Sequence, residues 1–163
     1  MGKINLYLAA VLLTGVGVVQ STAMPYLSLA GVKPDLMLLV VISWSLIRGA
    51  GEGIVWGFVG GMILDLLSGA PFGVFTLALT TISFLSGIGE INIFRSNIFL
   101  PLMVIGLATI AYSFISLLLL QTLGWPVNWS DSLIRIVLPT AFLNTILAPL
   151  IYQPLRWLHS FTV

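Results

Sequence analysis

The sequence predicts an all-α integral membrane protein, a compact bundle of about six transmembrane helices that takes in residues 1–163 as a single domain with no soluble part. Three observations lead there. Apolar residues make up 59% of the chain and charged residues 7%, against about 25% charged in soluble domains. The mean hydropathy is +1.15, which leaves too little polar surface to face water. Along one apolar segment every fourth residue is glycine or aspartate: Gly49, Gly53, Gly57, Gly61, Asp65 and Gly69. Residues four apart share a helix ridge. In water each of these glycines would weaken a helix by ~1 kcal/mol, whereas in a bilayer small residues at i and i+4 are the usual means of close helix packing.

Charge and Pro/Gly punctuation delimit six candidate spans: Ile4–Met24, Asp35–Ile47, Gly53–Leu67, Phe72–Ile88, Ile98–Leu123 and Leu133–Leu158. The first follows Lys3. Ser21-Thr22-Ala23 loosely resembles a cleavage site, but the run from Ile4 to Val19 is longer than a signal-peptide apolar region, so a retained span is expected. The residues Met1-Gly2-Lys3-Ile4-Asn5-Leu6 lack the Ser/Thr of a myristoylation signal. The second span is short: Pro34 to Arg48 as helix covers ~22 Å of a ~30 Å core. That leaves it buried in protein, thinning the bilayer, or re-entrant. The third carries the glycine row. Ser68-Gly69-Ala70-Pro71-Phe72-Gly73 reads as a tight turn in which Gly69 ends the third helix and Pro71 starts the fourth. Small or weakly polar stripes mark the fourth span (Thr76, Thr80, Ser83, Gly87) and the fifth (Gly106, Thr109, Ser113, Ser116). Both suit close packing and interhelical hydrogen bonds. The sixth contains Pro139, Pro149 and Pro154 and is expected to kink or break, and Asn144 to bond a neighbouring helix or a carbonyl freed by Pro139.

With the N-terminus inside, Lys3, Arg48, Arg95 and Arg156 fall on the cytoplasmic side and Lys33 and Arg135 outside, a bias that favours both termini cytoplasmic. A five-helix alternative with the N-terminus outside gives the same count. In the six-helix arrangement Trp125, Trp129 and Tyr26 form an outer aromatic belt, with Tyr152 and Trp157 at the inner face. Arg48 with Glu52, and Glu90 with Arg95, read as solvated pairs in the inner loops.

Asp65 is the residue with most to explain, since an acid within a span is a functional candidate by default. It sits at the outer end of the ridge. Asp35 and Arg135 begin the second and sixth helices on the same side, so Asp35, Asp65 and Arg135 form an expected outer charged cluster, with Lys33 competing for the acids. The functional alternatives are a proton or ion relay, or a charged contact with a partner. The structural alternative is an ion pair or helix cap that fixes the bundle. The glycine ridge likewise packs either within the bundle or against a helix of another protein. Catalysis has little support. The chain has no cysteine and one histidine, His159, so neither a zinc site nor an activated serine is expected. Met62-Ile63-Leu64 before Asp65 lacks the glycine context of an aspartyl-protease dyad, and there is no phosphate loop. No cofactor is expected, and with a formal net charge of +1 and no basic run, no nucleic-acid partner.

Lys33-Pro34-Asp35 ahead of an apolar run, then the glycine ridge, then Asp65-Leu66-Leu67-Ser68-Gly69-Ala70-Pro71-Phe72-Gly73, resembles the MreD family of the bacterial rod-shape system over nearly the whole chain. The resemblance implies a non-enzymatic scaffold of the cell-elongation machinery in the cytoplasmic membrane. Its partner would be MreC, with MreB, RodA and the associated transpeptidase reached indirectly in sidewall peptidoglycan synthesis. It also implies an architecture similar to the substrate-binding subunits of energy-coupling-factor transporters. Ala9, Ala10, Gly15 and Gly17 do not reproduce the spacing those subunits use for docking. A small-molecule-binding subunit of a membrane transporter is the alternative, and a polar pocket opening outward would be its mark. On the scaffold reading, the ridge and the outer cluster shape a surface that holds another protein's membrane segment.

Overall fold

The computed structural model describes residues 6–23, 26, 32–69, 71–88 and 99–162. Lys3, Ala70, Glu90 and Arg95, invoked above for orientation, turn and pairing, lie outside them. The elements in chain order are α1 (Leu6–Thr22), α2 (Leu36–Arg48), α3 (Ala50–Ser68), α4 (Val74–Gly87), α5 (Phe99–Thr122), α6 (Trp129–Ser132), a π-helical turn (Leu133–Val137) and α7 (Leu138–Thr162). The last three follow one another without a break. The chain is therefore an all-α membrane protein, with six helical segments among the described residues. Three of these are long and apolar enough to cross a membrane: α3, α5 and the continuous helix from Trp129. The apolar helices α1, α2 and α4 are shorter.

The short second helix is the centre of the bundle. Every residue from Met37 to Ile47 is buried, and α2 touches α1, α3, α4, α5 and α7. A helix apolar on all sides asks for such a place. Of the options left by its length, burial in protein is the one taken. Side chains hold much of its start. Asp35 accepts from the Leu38 N–H at 3.0 Å, Gln20 of α1 accepts from the Met37 N–H at 2.7 Å, and Asn144 of α7 accepts from the Asp35 N–H at 3.0 Å. Asn144 also donates to Thr109 of α5 at 3.1 Å, so one amide ties three helices. In lipid the donors of a helix start have no water to turn to, so they need such partners.

The chain reverses from α2 to α3 on a single residue. Gly49 has φ 97° and is both the last cap of α2 and the first of α3. That conformation strains any residue with a Cβ. Because one glycine serves both helices, α3 begins at Ala50 and not at Gly53 as the sequence implied.

The outward faces of α5 and α7 carry large apolar side chains at helical spacing, Met103, Leu107, Ile110, Phe114 and Leu118 on one and Leu138, Phe142, Ile146 and Leu150 on the other. The inward faces carry the small and polar residues, among them Thr109, Ser116 and Asn144. This pattern suits lipid as the surrounding solvent. The sixth pass does not break. The π turn precedes Pro139, which has no N–H to continue the ordinary ladder, and such a turn is a common way of absorbing that defect. Pro149 and Pro154 lie inside α7. Tyr152 is buried and so is no part of an interfacial belt, whereas Trp157 is exposed and stacks edge-on against Phe161.

Candidate functional site

The glycine row is occupied by the chain's own α4. A Cβ on Gly53 would meet Ser45 and the Ser83 carbonyl; on Gly57, Ser83 and the Leu79 carbonyl; on Gly61, the Phe75 carbonyl and the Thr76 backbone. Gly60, beside the row, faces Met37 and Val41 of α2. Ser45 closes the group by donating to the Ser83 carbonyl. The expectation of a free groove for another protein's helix is thus corrected: α4 fills it from Phe75 to Ser83. Gly49 and Gly69 lie at the two ends of α3, outside the seam itself.

Asp65, buried at the end of this seam, acts as the N-cap of α4. The local cap residue, Gly73, has no side chain to do so. The Asp65 carboxylate accepts from the Phe75 N–H at 3.0 Å and the Thr76 N–H at 3.1 Å, the donors of the second and third helical residues that a capping side chain normally takes. It also accepts from the Gly73 N–H at 2.9 Å and from the Thr76 hydroxyl. A negative charge at a helix start is favoured by the aligned peptide dipoles as well. Pro71 consequently lies in the turn, where its carbonyl accepts from the Val74 N–H. The helix starts three residues later than Pro71, after Gly73, because the donors held by Asp65 set where α4 begins. Ser68 is the last residue of α3 and Gly69 its left-handed cap at φ 71°.

Arg135 joins neither acid. It pairs with Asp131 at 3.9 Å, with side chains 79% and 59% exposed, so the triad Asp35, Asp65 and Arg135 is not assembled as an ion-pair cluster. Asp131 stands one turn before Arg135 on the same helix, the cheapest partner to reach, while Asp65 already has four donors.

At the opposite end of the bundle Arg48 and Glu52, expected as a solvated loop pair, belong to a built group. Arg48 binds Glu52 through two nitrogens, at 2.7 and 3.0 Å. Trp44 donates its indole N–H to Glu52 at 3.0 Å, and Arg48 lies 3.3 Å from Nδ1 of His159. The Trp44 ring stacks on Trp56 at 4.6 Å. The Arg48 side chain is 8% exposed and that of Glu52 34%. Trp44, Arg48, Glu52 and Trp56 recur every fourth residue across Gly49, a spacing that could have shown the group. The approach of His159 from α7 had no sequence signal. Glu52→Ala, which takes from a buried guanidinium the carboxylate that binds two of its nitrogens, is expected to lower the thermal midpoint of the detergent-solubilised protein by roughly 3–8 °C. Asp131→Ala is expected to move it by no more than about 2 °C. Equal shifts would mean that the buried pair has no special weight.

Above the start of α2 lies a cleft of ≈ 460 Å³, lined by Gln20, Lys33, Asp35, Leu64, Ser113 and Thr140 among others. Among the described residues no group of three or more His, Cys, Asp or Glu side chains is placed to hold a metal ion.

Fold and site together define a polytopic membrane protein in which a buried acid, Asp65, locks a helical hairpin. The chain belongs to the MreD family: the family model described as rod shape-determining protein MreD matches residues 1–161. Its role accordingly lies in rod-shape determination. No solved structure matches it.

Proposed function

We propose that this protein is a non-enzymatic scaffold of the cell-elongation complex in the bacterial cytoplasmic membrane, where it binds MreC and through it serves MreB, RodA and the RodA transpeptidase partner in sidewall peptidoglycan synthesis. The observation that carries the reading is the state of Asp65. All four of its hydrogen-bond donors belong to the α4 turn, an arrangement suited to fixing a shape and not to moving a proton. A rigid bundle with broad apolar faces on α5 and α7 is what a scaffold offers to a partner's membrane segment, and the partner meets those faces since the glycine seam is already filled. The positive-inside bias sets the Arg48 end in the cytoplasm, with both termini, and the Asp35 end outside.

The test is copurification in mild detergent. MreC is expected to be recovered with the tagged wild-type chain, and cells depleted of the chain to lose their rod form. Recovery of a correctly folded chain with no MreC would end this reading. The cleft above α2 favours a second one, a small-molecule-binding subunit of a membrane transporter. Its signature would be a ligand retained through purification together with an energy-coupling partner.

A further inference from the structure

The geometry points to the cleft above α2 as a binding site for a zwitterionic head group that carries a phosphate beside a primary ammonium. The site follows from helix length. α2 has 13 residues, about 20 Å, and α5 has 24, about 36 Å. Beside α5, a central helix this short leaves a shaft over its first turn. Ser113, which lines it, lies nine residues before the end of α5, roughly 13 Å down the helix axis. The shaft therefore runs well below the rim of the bundle. At ≈ 460 Å³ it falls within the usual range for small-ligand pockets, about 300–1,000 Å³.

The lining selects the chemistry. Lys33 and Asp35 stand two apart on the extended segment before α2, a spacing that puts both on one side of the strand and some 6–7 Å apart. Among the described residues Lys33 has no ion-pair partner, and the Asp35 carboxylate, which accepts from the Leu38 N–H and the Gln20 side chain, keeps further lone pairs for a ligand. A cation for a phosphate thus stands beside an acceptor for an ammonium. Ser113 and Thr140 add hydroxyl donors for phosphate oxygens, and Leu64 supplies apolar surface for what the head group is attached to. Polar groups at this depth require water or a ligand. A purely anionic head would bring its charge against Asp35, and a trimethylammonium has no N–H for the carboxylate. The same chemistry is borne by an aminophospholipid and by free phosphoethanolamine.

The experiment compares thermal midpoints of the full-length protein in neutral detergent with added phosphatidylethanolamine, phosphatidylcholine, phosphatidylglycerol or soluble phosphoethanolamine. Phosphatidylethanolamine is expected to raise the midpoint saturably by roughly 5 °C, more than the other two lipids. Lys33→Gln alters an exposed side chain, and Asp35→Asn keeps a good N-cap. Both variants should fold, and each should weaken the effect by roughly tenfold in lipid concentration. An equal effect from soluble phosphoethanolamine would identify a free ligand as the source, and an effect of the lipid alone would identify the membrane. Equal shifts from all three lipids, or variants that respond like the wild type, would overturn the assignment whether or not MreC is found to bind.

Discussion

Asp65→Leu is expected to be the most damaging single substitution, removing at least about 3 kcal/mol of stability. The three backbone N–H groups of Gly73, Phe75 and Thr76 lose their acceptor, and an unsatisfied buried donor costs about 1–3 kcal/mol. Leucine fits the neighbourhood by polarity alone, so a site where the acid were merely tolerated would gain from the change. Asp65→Asn separates charge from capping. Its amide oxygen can serve one side of the former carboxylate, but its NH₂ group must then face donors on the other, for a loss of about 1–3 kcal/mol. The order expected in thermal unfolding, and in rescue of rod shape in cells lacking the chain, is wild type, then Asn, then Leu. A Leu variant as stable as the wild type and able to restore rod shape would remove Asp65 from both the fold and the function. Loss of shape with full stability would instead point to a direct role for the carboxylate.

The second large effect lies on the seam. Gly61→Ala places a methyl against the Phe75 carbonyl and the Thr76 backbone, and backbone cannot step aside as a flexible side chain can. A destabilisation of about 2 kcal/mol is expected, and Gly61→Leu should drive α4 off α3 altogether. Gly15→Ala is the matched control. Nothing lies within 4 Å of the added carbon there, so the change should be neutral or stabilise by up to ~1 kcal/mol through helix propensity. Similar midpoints for Gly61→Ala and Gly15→Ala would show that the row is not a contact surface.

Much of this architecture was legible in the sequence because lipid enforces simple rules. Apolar runs must be helices, and the six segments emerge within a few residues of their predicted limits. The row of small residues marked close packing correctly, and the Pro-Asp pair marked the start of α2. What the sequence could not carry was which surfaces meet. Nothing in the spacing of Gly53, Gly57 and Gly61 says whether the visitor is α4 or another protein. The short α3–α4 turn settles that in favour of α4, since a hairpin partner is always at hand. Likewise sidedness offers Arg135 as the mate of Asp65, but Asp131 is nearer and Asp65 is already full. Arg48 and Glu52 read as a solvated pair only if a loop joins the two helices, whereas Gly49 alone turns the chain. With the loop gone, Trp44 and Trp56 close over the pair.

The central position of α2 also bears on how the protein enters the membrane. Thirteen residues cannot bridge a bilayer unaided, and both ends would leave peptide groups stranded in hydrocarbon. The segment is therefore a poor substrate for insertion on its own. Gly49 joins it to a 19-residue successor without an intervening linker, so the two are expected to be delivered as one re-folding pair. The Asp35 N–H at its leading edge would remain unmet until Asn144, more than a hundred residues later, has left the ribosome. Completion of the core thus waits on α7, and a chain truncated before it should be recognised as unfinished by membrane quality control.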